Sequence, residues 1–136
     1  MRFASREWVE ALVQGLNRQA ELPRALAGLG QDAGLVVERD GPSWPSDVAV
    51  WCRHAAGRVA EWRLLPDPDD LLELEPSYLL RARYGVWRAL LEGEDPVRAA
   101  LTGRVRVEGD LEALVRRAEY RRVVDAALAA VPTEFP

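Results

Sequence analysis

Between Ser77 and Asp110 the apolar period of the chain switches repeatedly, and this succession constrains the fold more than any other part of the sequence. Tyr78, Leu80, Ala82 and Tyr84 alternate with Leu79, Arg81 and Arg83, the period of two that marks a strand. Trp87, Leu90 and Leu91 then fall at helical spacing, and Gly93 stops that helix. Asp95 and Pro96 start another, because an Asp N-cap accepts an orphan backbone N–H and proline at the first helical position sacrifices no hydrogen bond. Gly103 ends it. From Arg104 to Glu108 charged and apolar residues alternate, which turns Val105 and Val107 inward. Gly109 and Asp110 close this strand and cap a last helix.

The rest of the chain frames that block. Ser5 caps a helix whose Trp8, Leu12 and Leu16 form one stripe, and Pro23 interrupts it. Ala25, Leu26 and Leu29 resume a shorter helical stretch, which runs out in a hinge containing Gly28, Gly30 and Gly34. The period then changes to two. Strands are expected over Leu35–Arg39, Asp47–Arg53 and Val59–Leu65, the last two forming a hairpin around Ala55-Ala56-Gly57. In that hairpin Val48, Val50 and Cys52 share one face against Ala49, Trp51 and Arg53, and Ala60, Trp62 and Leu64 lie together on one side of the returning strand. Pro66 to Asp70 reads as an acidic loop, and Leu71–Glu75 as an irregular lead into the strand at Tyr78. The final helix begins near Asp110 with Leu111, Leu114 and Val115, re-phases through Tyr120, Val123, Val124, Ala127, Leu128 and Val131, and stops at Pro132. The expectation is a single α+β domain over residues 1–136, with a mostly antiparallel five-stranded sheet covered on one face by helices.

A chain of 136 residues can bury a core without a disulfide or metal staple. Its net charge of −4 and its scattered arginines argue against nucleic-acid binding. All 18 basic residues are arginine, so the lysine of a standard phosphate-binding loop cannot be present. Many charges, nine prolines and few thermolabile residues suit a thermophilic bacterium. Neither a signal peptide nor a run of about twenty apolar residues is evident, which makes a soluble cytoplasmic protein the default expectation.

The order strand, W..LL.G helix, DP..A...G helix and strand ending in EGD resembles the sterol carrier protein type 2 family. It is carried by Trp87, Leu90, Leu91, Gly93, Asp95, Pro96, Ala100, Gly103, Val105, Val107, Gly109 and Asp110. The N-terminal helix with Trp8, the central hairpin and the closing Val131-Pro132-Thr133-Glu134-Phe135-Pro136 extend the likeness to stand-alone bacterial members over essentially the whole chain. The resemblance implies an apolar cavity between sheet and helices and a non-enzymatic lipid-binding or lipid-transfer role without cofactor or metal. The implied ligand is a fatty acid, a fatty acyl-CoA or a sterol-like molecule. It also implies a second reading, an accessory module that presents a hydrophobic substrate to a partner enzyme in lipid or quinone metabolism. A homodimer is the other association to consider, and membrane contact is expected to be transient at most.

Residues expected to line such a cavity are Leu12 and Leu16 on the first helix and Trp62 and Leu64 on the hairpin. Tyr78, Leu80, Trp87, Leu91, Val105 and Val107 join them from the diagnostic block, with Val124, Leu128 and Phe135 near the end. An apolar stripe at these spacings is equally the signature of an ordinary filled core. The terminal tail, with Phe135 as a plug, is either a gate or a simply docked end. Cys52 and His54 share a strand face as a nucleophile and base would, yet no further Cys or His exists to complete a zinc site. Asp67, Asp69 and Asp70 lack the glycine and bidentate glutamate of a calcium loop and read as a solvated turn. Arg116, Arg117, Arg121 and Arg122 give the last helix a basic face, diluted by Glu112, Glu119 and Asp125.

Overall fold

The computed structural model describes residues 1–110 and 118–136. Helix α1 (Arg6–Asn17) starts where the Ser5 side chain accepts the Trp8 N–H, and the short α2 (Leu22–Leu26) follows with proline in its first turn. Strands β1 (Asp32–Glu38), β2 (Val48–Ala55) and β3 (Arg58–Leu65) come next, then α3 (Asp70–Leu74), β4 (Tyr78–Arg83), α4 (Tyr84–Leu91), α5 (Pro96–Leu101), β5 (Arg106–Glu108) and α6 (Ala118–Ala129). Asp95 caps α5 by accepting the Val97 N–H, as its position before a proline requires. The expected start of the last helix at Leu111, Leu114 and Val115 lies outside the described residues.

The five strands form one sheet in the order β3-β2-β1-β4-β5. Three of its four pairs are antiparallel, as the sequence suggests, and β1 with β4 run parallel, so the sheet is mixed. Alternation within a strand fixes which face a side chain takes but carries no information on direction. Direction is set by the connection: after the β2–β3 hairpin, α3 crosses back and β4 enters beside β1.

Further expectations change for packing reasons. Leu71–Glu75 is not irregular; Leu71 and Leu74, one helical turn apart, both pack on the sheet, while Leu72 between them is 64% exposed. This puts α3 on the face opposite α1, α4 and α6, so the sheet carries helix on both sides. Tyr84 ends the strand alternation by starting α4, where its ring stacks on Trp44 with centroids 4.9 Å apart. Val105 precedes β5 and is sealed against Ala82 and Ala99, its N–H donated to the Ala99 carbonyl.

The helix-side core gathers Phe3, Trp8, Val9, Val37, Trp44, Tyr84 and Val131. Across the sheet, Val36, Ala49, Trp51, Leu71 and Leu79 form a smaller core beneath α3. The glycines expected to be a hinge include two close approaches instead. A Cβ on Gly34 would come within 2.8 Å of Leu71 Cδ2, and one on Gly30 within 2.5 Å of Ser77 Cβ. Glycine at 34 is therefore what lets α3 seat on β1. Gly34→Val is expected to lower unfolding free energy by about 1–3 kcal/mol, the usual cost of overpacking, as measured by urea denaturation. An unchanged midpoint would show that α3 does not need this contact.

Candidate functional site

Pairing in the sheet aligns one residue from each strand on the helix-facing side: Leu64, Val50, Leu35, Leu80 and Val107. All five are apolar, and all five remain half-buried. One residue further along the inner strands, on the opposite face, Val36 and Ala49 are fully closed at 0% exposure. On the helix-facing side Val37, Ala82 and Tyr78 are likewise closed, so the accessible apolar surface of this face is concentrated in the row and at the neighbouring Ala33 and Cys52.

A second row lies next to it: Trp62, Cys52, Ala33 and Tyr78, again on the helix side of β3, β2, β1 and β4. Cys52 is half-buried by surface, yet desolvation pushes its thiol up to about 11, with the negative Asp32 adding to the shift and a backbone hydrogen bond at Ala33 opposing it. Both facts fit a thiol surrounded by protein that still borders open space. Tyr120 of α6 behaves likewise: half-buried, with desolvation first and then Cys52 and Tyr78 pushing its phenol up to about 12.

The expected lining residues separate into groups. Leu12, Trp62, Trp87, Leu91, Leu128 and Phe135 pack around the helix-side core as half-buried side chains. Leu80, Trp87, Val105 and Val107 meet beneath α4 and α5, where Val105 is sealed at 6% exposure. Leu16 joins Leu22, Ala25, Leu26 and Val123 among the helices. Tyr78 is buried, and its hydroxyl accepts the Gly30 N–H at 3.0 Å. Leu64 lies in the five-strand row, and Val124 is half-buried on α6. Leu35, Val50, Ala33 and Tyr120 are not among the residues expected from sequence, although strand alternation already turns Val50 inward; their cross-strand and cross-layer neighbours are tertiary facts.

Phe135 lies 5.7 Å from the Phe3 ring, with the Arg88 guanidinium 5.1 Å over its own ring. The tail around it is docked. Phe3 N–H donates to the Glu134 carbonyl and Glu134 N–H to the Met1 carbonyl, while Trp8 Nε1 donates to Thr133 Oγ1 and the Tyr84 hydroxyl to the Pro136 carbonyl. Of the two readings of the tail, these bonds favour the docked end over the gate.

Polar candidates are otherwise engaged. His54 Nε2 lies 2.7 Å from the Gly30 carbonyl, so that nitrogen is a donor rather than a base aimed at Cys52. Asp67 Oδ1 accepts the Asp69 N–H in a turn before α3, and no three His, Cys, Asp or Glu side chains converge among the described residues. Arg121 faces Asp125 and Arg122 faces Glu21, while Arg116 and Arg117 lie outside the described residues. A groove on the sheet rim contains Arg39, Arg83, Arg104 and Arg106. The last three pair with Asp40, Glu94 and Glu38 respectively, which leaves the groove nearly balanced in charge.

The architecture has clear structural counterparts. Sterol carrier protein 2 superposes with a TM-score of 0.76 at 21% identity, covering 96% of this chain and 99% of the other. The fold is that of sterol carrier protein 2. A conserved hypothetical protein from Thermus thermophilus, provisionally described as a sterol carrier protein, gives 0.68 at 22% identity over 93% of this chain and 85% of its own. A ubiquinone synthesis protein, UbiJ-SCP2, gives 0.52 at 20% identity over 88% and 87%. No family model matches the chain, and no curated protein matches it by sequence.

The deep thiol and phenol make alkaline stability a readout of this layer. Both folded pKa values lie above the ordinary 9.0 and 10.0, so their contribution is complete below pH 9 and is lost as pH rises through about 11 and 12. The melting temperature is expected to fall between pH 9 and 11, and to fall less in Cys52→Ala, by an amount equivalent to about 2–3 kcal/mol. Equal slopes in wild type and Cys52→Ala would place the thiol in contact with bulk water.

Proposed function

We propose that this domain is a non-enzymatic lipid-binding protein that holds a long apolar ligand in the layer between the sheet and α1, α4 and α6. The observation that carries the reading is the row Leu64, Val50, Leu35, Leu80 and Val107, apolar across all five strands and half-buried on the helix side, where Val36 and Ala49 behind it are closed. Burying an acyl chain of about sixteen carbons there supplies roughly 12 kcal/mol gross at about 0.8 per methylene. Association and ordering costs remove much of it. Micromolar binding then needs no charged contact, which accounts for a site built without a catalytic constellation.

Absence of catalysis is part of the proposal, and two features support it. A thiol pushed up to about 11 is a poor nucleophile at neutral pH, and the adjacent imidazole nitrogen is spent on a carbonyl. None of the described helices is long and apolar enough to cross a membrane. Action inside the cytoplasm of a bacterium, with only transient contact at membrane surfaces, is the setting we propose.

The likeness to the ubiquinone synthesis protein UbiJ-SCP2 favours a second reading, in which the domain presents its apolar ligand to a partner enzyme. Native mass spectrometry of gently purified protein, followed by lipid extraction, is expected to reveal a stoichiometric apolar ligand. Delipidated protein should regain it, with quenching of Trp fluorescence and a raised melting temperature. Val50→Trp, which fills the row between Leu64 and Leu35, is expected to weaken binding at least tenfold while the protein stays folded. No uptake by delipidated wild type and an unaffected Val50→Trp would each count against a ligand in this layer.

A further inference from the structure

On the helix-facing side of β1 and β2 the accessible residues form a continuous track. Leu35 pairs with Val50 and Ala33 with Cys52, and all four are half-buried. The next pair in this register is Gln31 with His54, whose backbone N–H donates to the Gln31 carbonyl at 2.8 Å. The irregularity in the hairpin at this point puts its extra residue, Ala60, on β3, so the alternation of β2 runs on through His54 and turns its side chain to the same face. There the track reaches the surface. Gln31 is exposed, His54 is half-buried, and both border a depression of about 450 Å³ between α2 and the β2–β3 turn. At the opposite end of the same strands Val37 is closed within the cluster of Phe3, Trp44 and Tyr84, and its carbonyl accepts Trp44 Nε1.

The stretch that connects α2 to β1 roofs the open end. Leu26 and Leu29 line the depression and also pack with Leu22, Ala25 and Val123, so they stand between the surface and the helical core. Pro23 meets the hairpin turn, where a Cβ on Gly57 would come within 2.8 Å of Pro23 Cβ. Between these contacts the chain is fastened by side chains alone at one residue. Gly30 donates its N–H to the Tyr78 hydroxyl at 3.0 Å, and its carbonyl accepts His54 Nε2 at 2.7 Å. Such bonds are exchanged for water by turning one side chain, whereas a strand ladder opens only together with its neighbours.

Resting on the lipid-binding reading, we propose that the ligand enters and leaves the layer through this depression, and that residues 27–31 are a strap which Gly30 latches across the track. Opening breaks two hydrogen bonds and swings the half-buried Leu29 outward, while every strand pair stays in place. The strap governs passage and not the seated ligand. Altering it should therefore change the rates of entry and exit by the same factor and leave the affinity unchanged.

The test follows the neutral fluorescent probe N-phenyl-1-naphthylamine by stopped flow as it enters the delipidated full chain, and on dilution as it leaves. His54→Ala removes half of the latch and is expected to speed both processes about fivefold, with Kd constant within about twofold. Gln31→Trp crowds the mouth and should slow both by about fivefold or more at the same Kd. Gln31 is exposed, so this second variant decides the question should His54→Ala not fold. If the wild type takes up no probe, the lipid-binding reading itself fails and the inference falls with it. If the wild type binds the probe but a folded variant exchanges it at wild-type rates, or changes the affinity through one rate constant alone, the port lies elsewhere and the lipid-binding reading stands.

Discussion

The double pairing of β1 is the constraint on which the rest of the molecule depends. It hydrogen-bonds β2 on one side and β4 on the other, and it fixes the register of both. Its alternate residues meet two different environments. Gly34 and Val36 face α3 and close completely around Leu71, whereas Ala33 and Leu35 face the helical layer and keep accessible surface. A slip of one residue would exchange these faces and put glycine where the half-open row needs an apolar side chain.

From this follows a division of labour between the two faces. Under α3 the packing is tight: Leu71 is 1% exposed and takes the space that any side chain at 34 would need. On the other side rigidity comes from the edges of the layer. Phe3, Trp8, Trp44 and Tyr84 form an aromatic cluster, the terminal tail is bonded to the N-terminus, and Trp87 Nε1 donates to the Val36 and Ala82 carbonyls. A rim held by aromatic contacts and hydrogen bonds fixes the fold whatever occupies the middle of the layer, because the backbone groups of the sheet are satisfied independently of it.

Much of this was legible because it rests on local periodicity. The caps at Ser5 and Asp95, the hairpin, the stop at Gly93 and the inward faces of Val50, Trp62, Leu64, Leu80 and Val107 follow from side-chain spacing and turn chemistry. Leu71–Glu75 misled because Leu72 and Leu74 alternate like a strand, while the packing pair is Leu71 and Leu74. The glycine cluster misled for a related reason: close approach between β1 and α3 leaves no local mark that distinguishes it from a hinge.

The sequence by itself determined most element types, the α+β class and which residues of a strand share a face, since these depend on residues a few positions apart. Only the tertiary structure decided that β1 and β4 run parallel, that Leu64, Val50, Leu35, Leu80 and Val107 share one row, and that Tyr120 packs with Leu22, Ala25, Leu26 and Val123. Direction, register and unfilled space arise from how distant segments meet, and no spacing within a single segment encodes them.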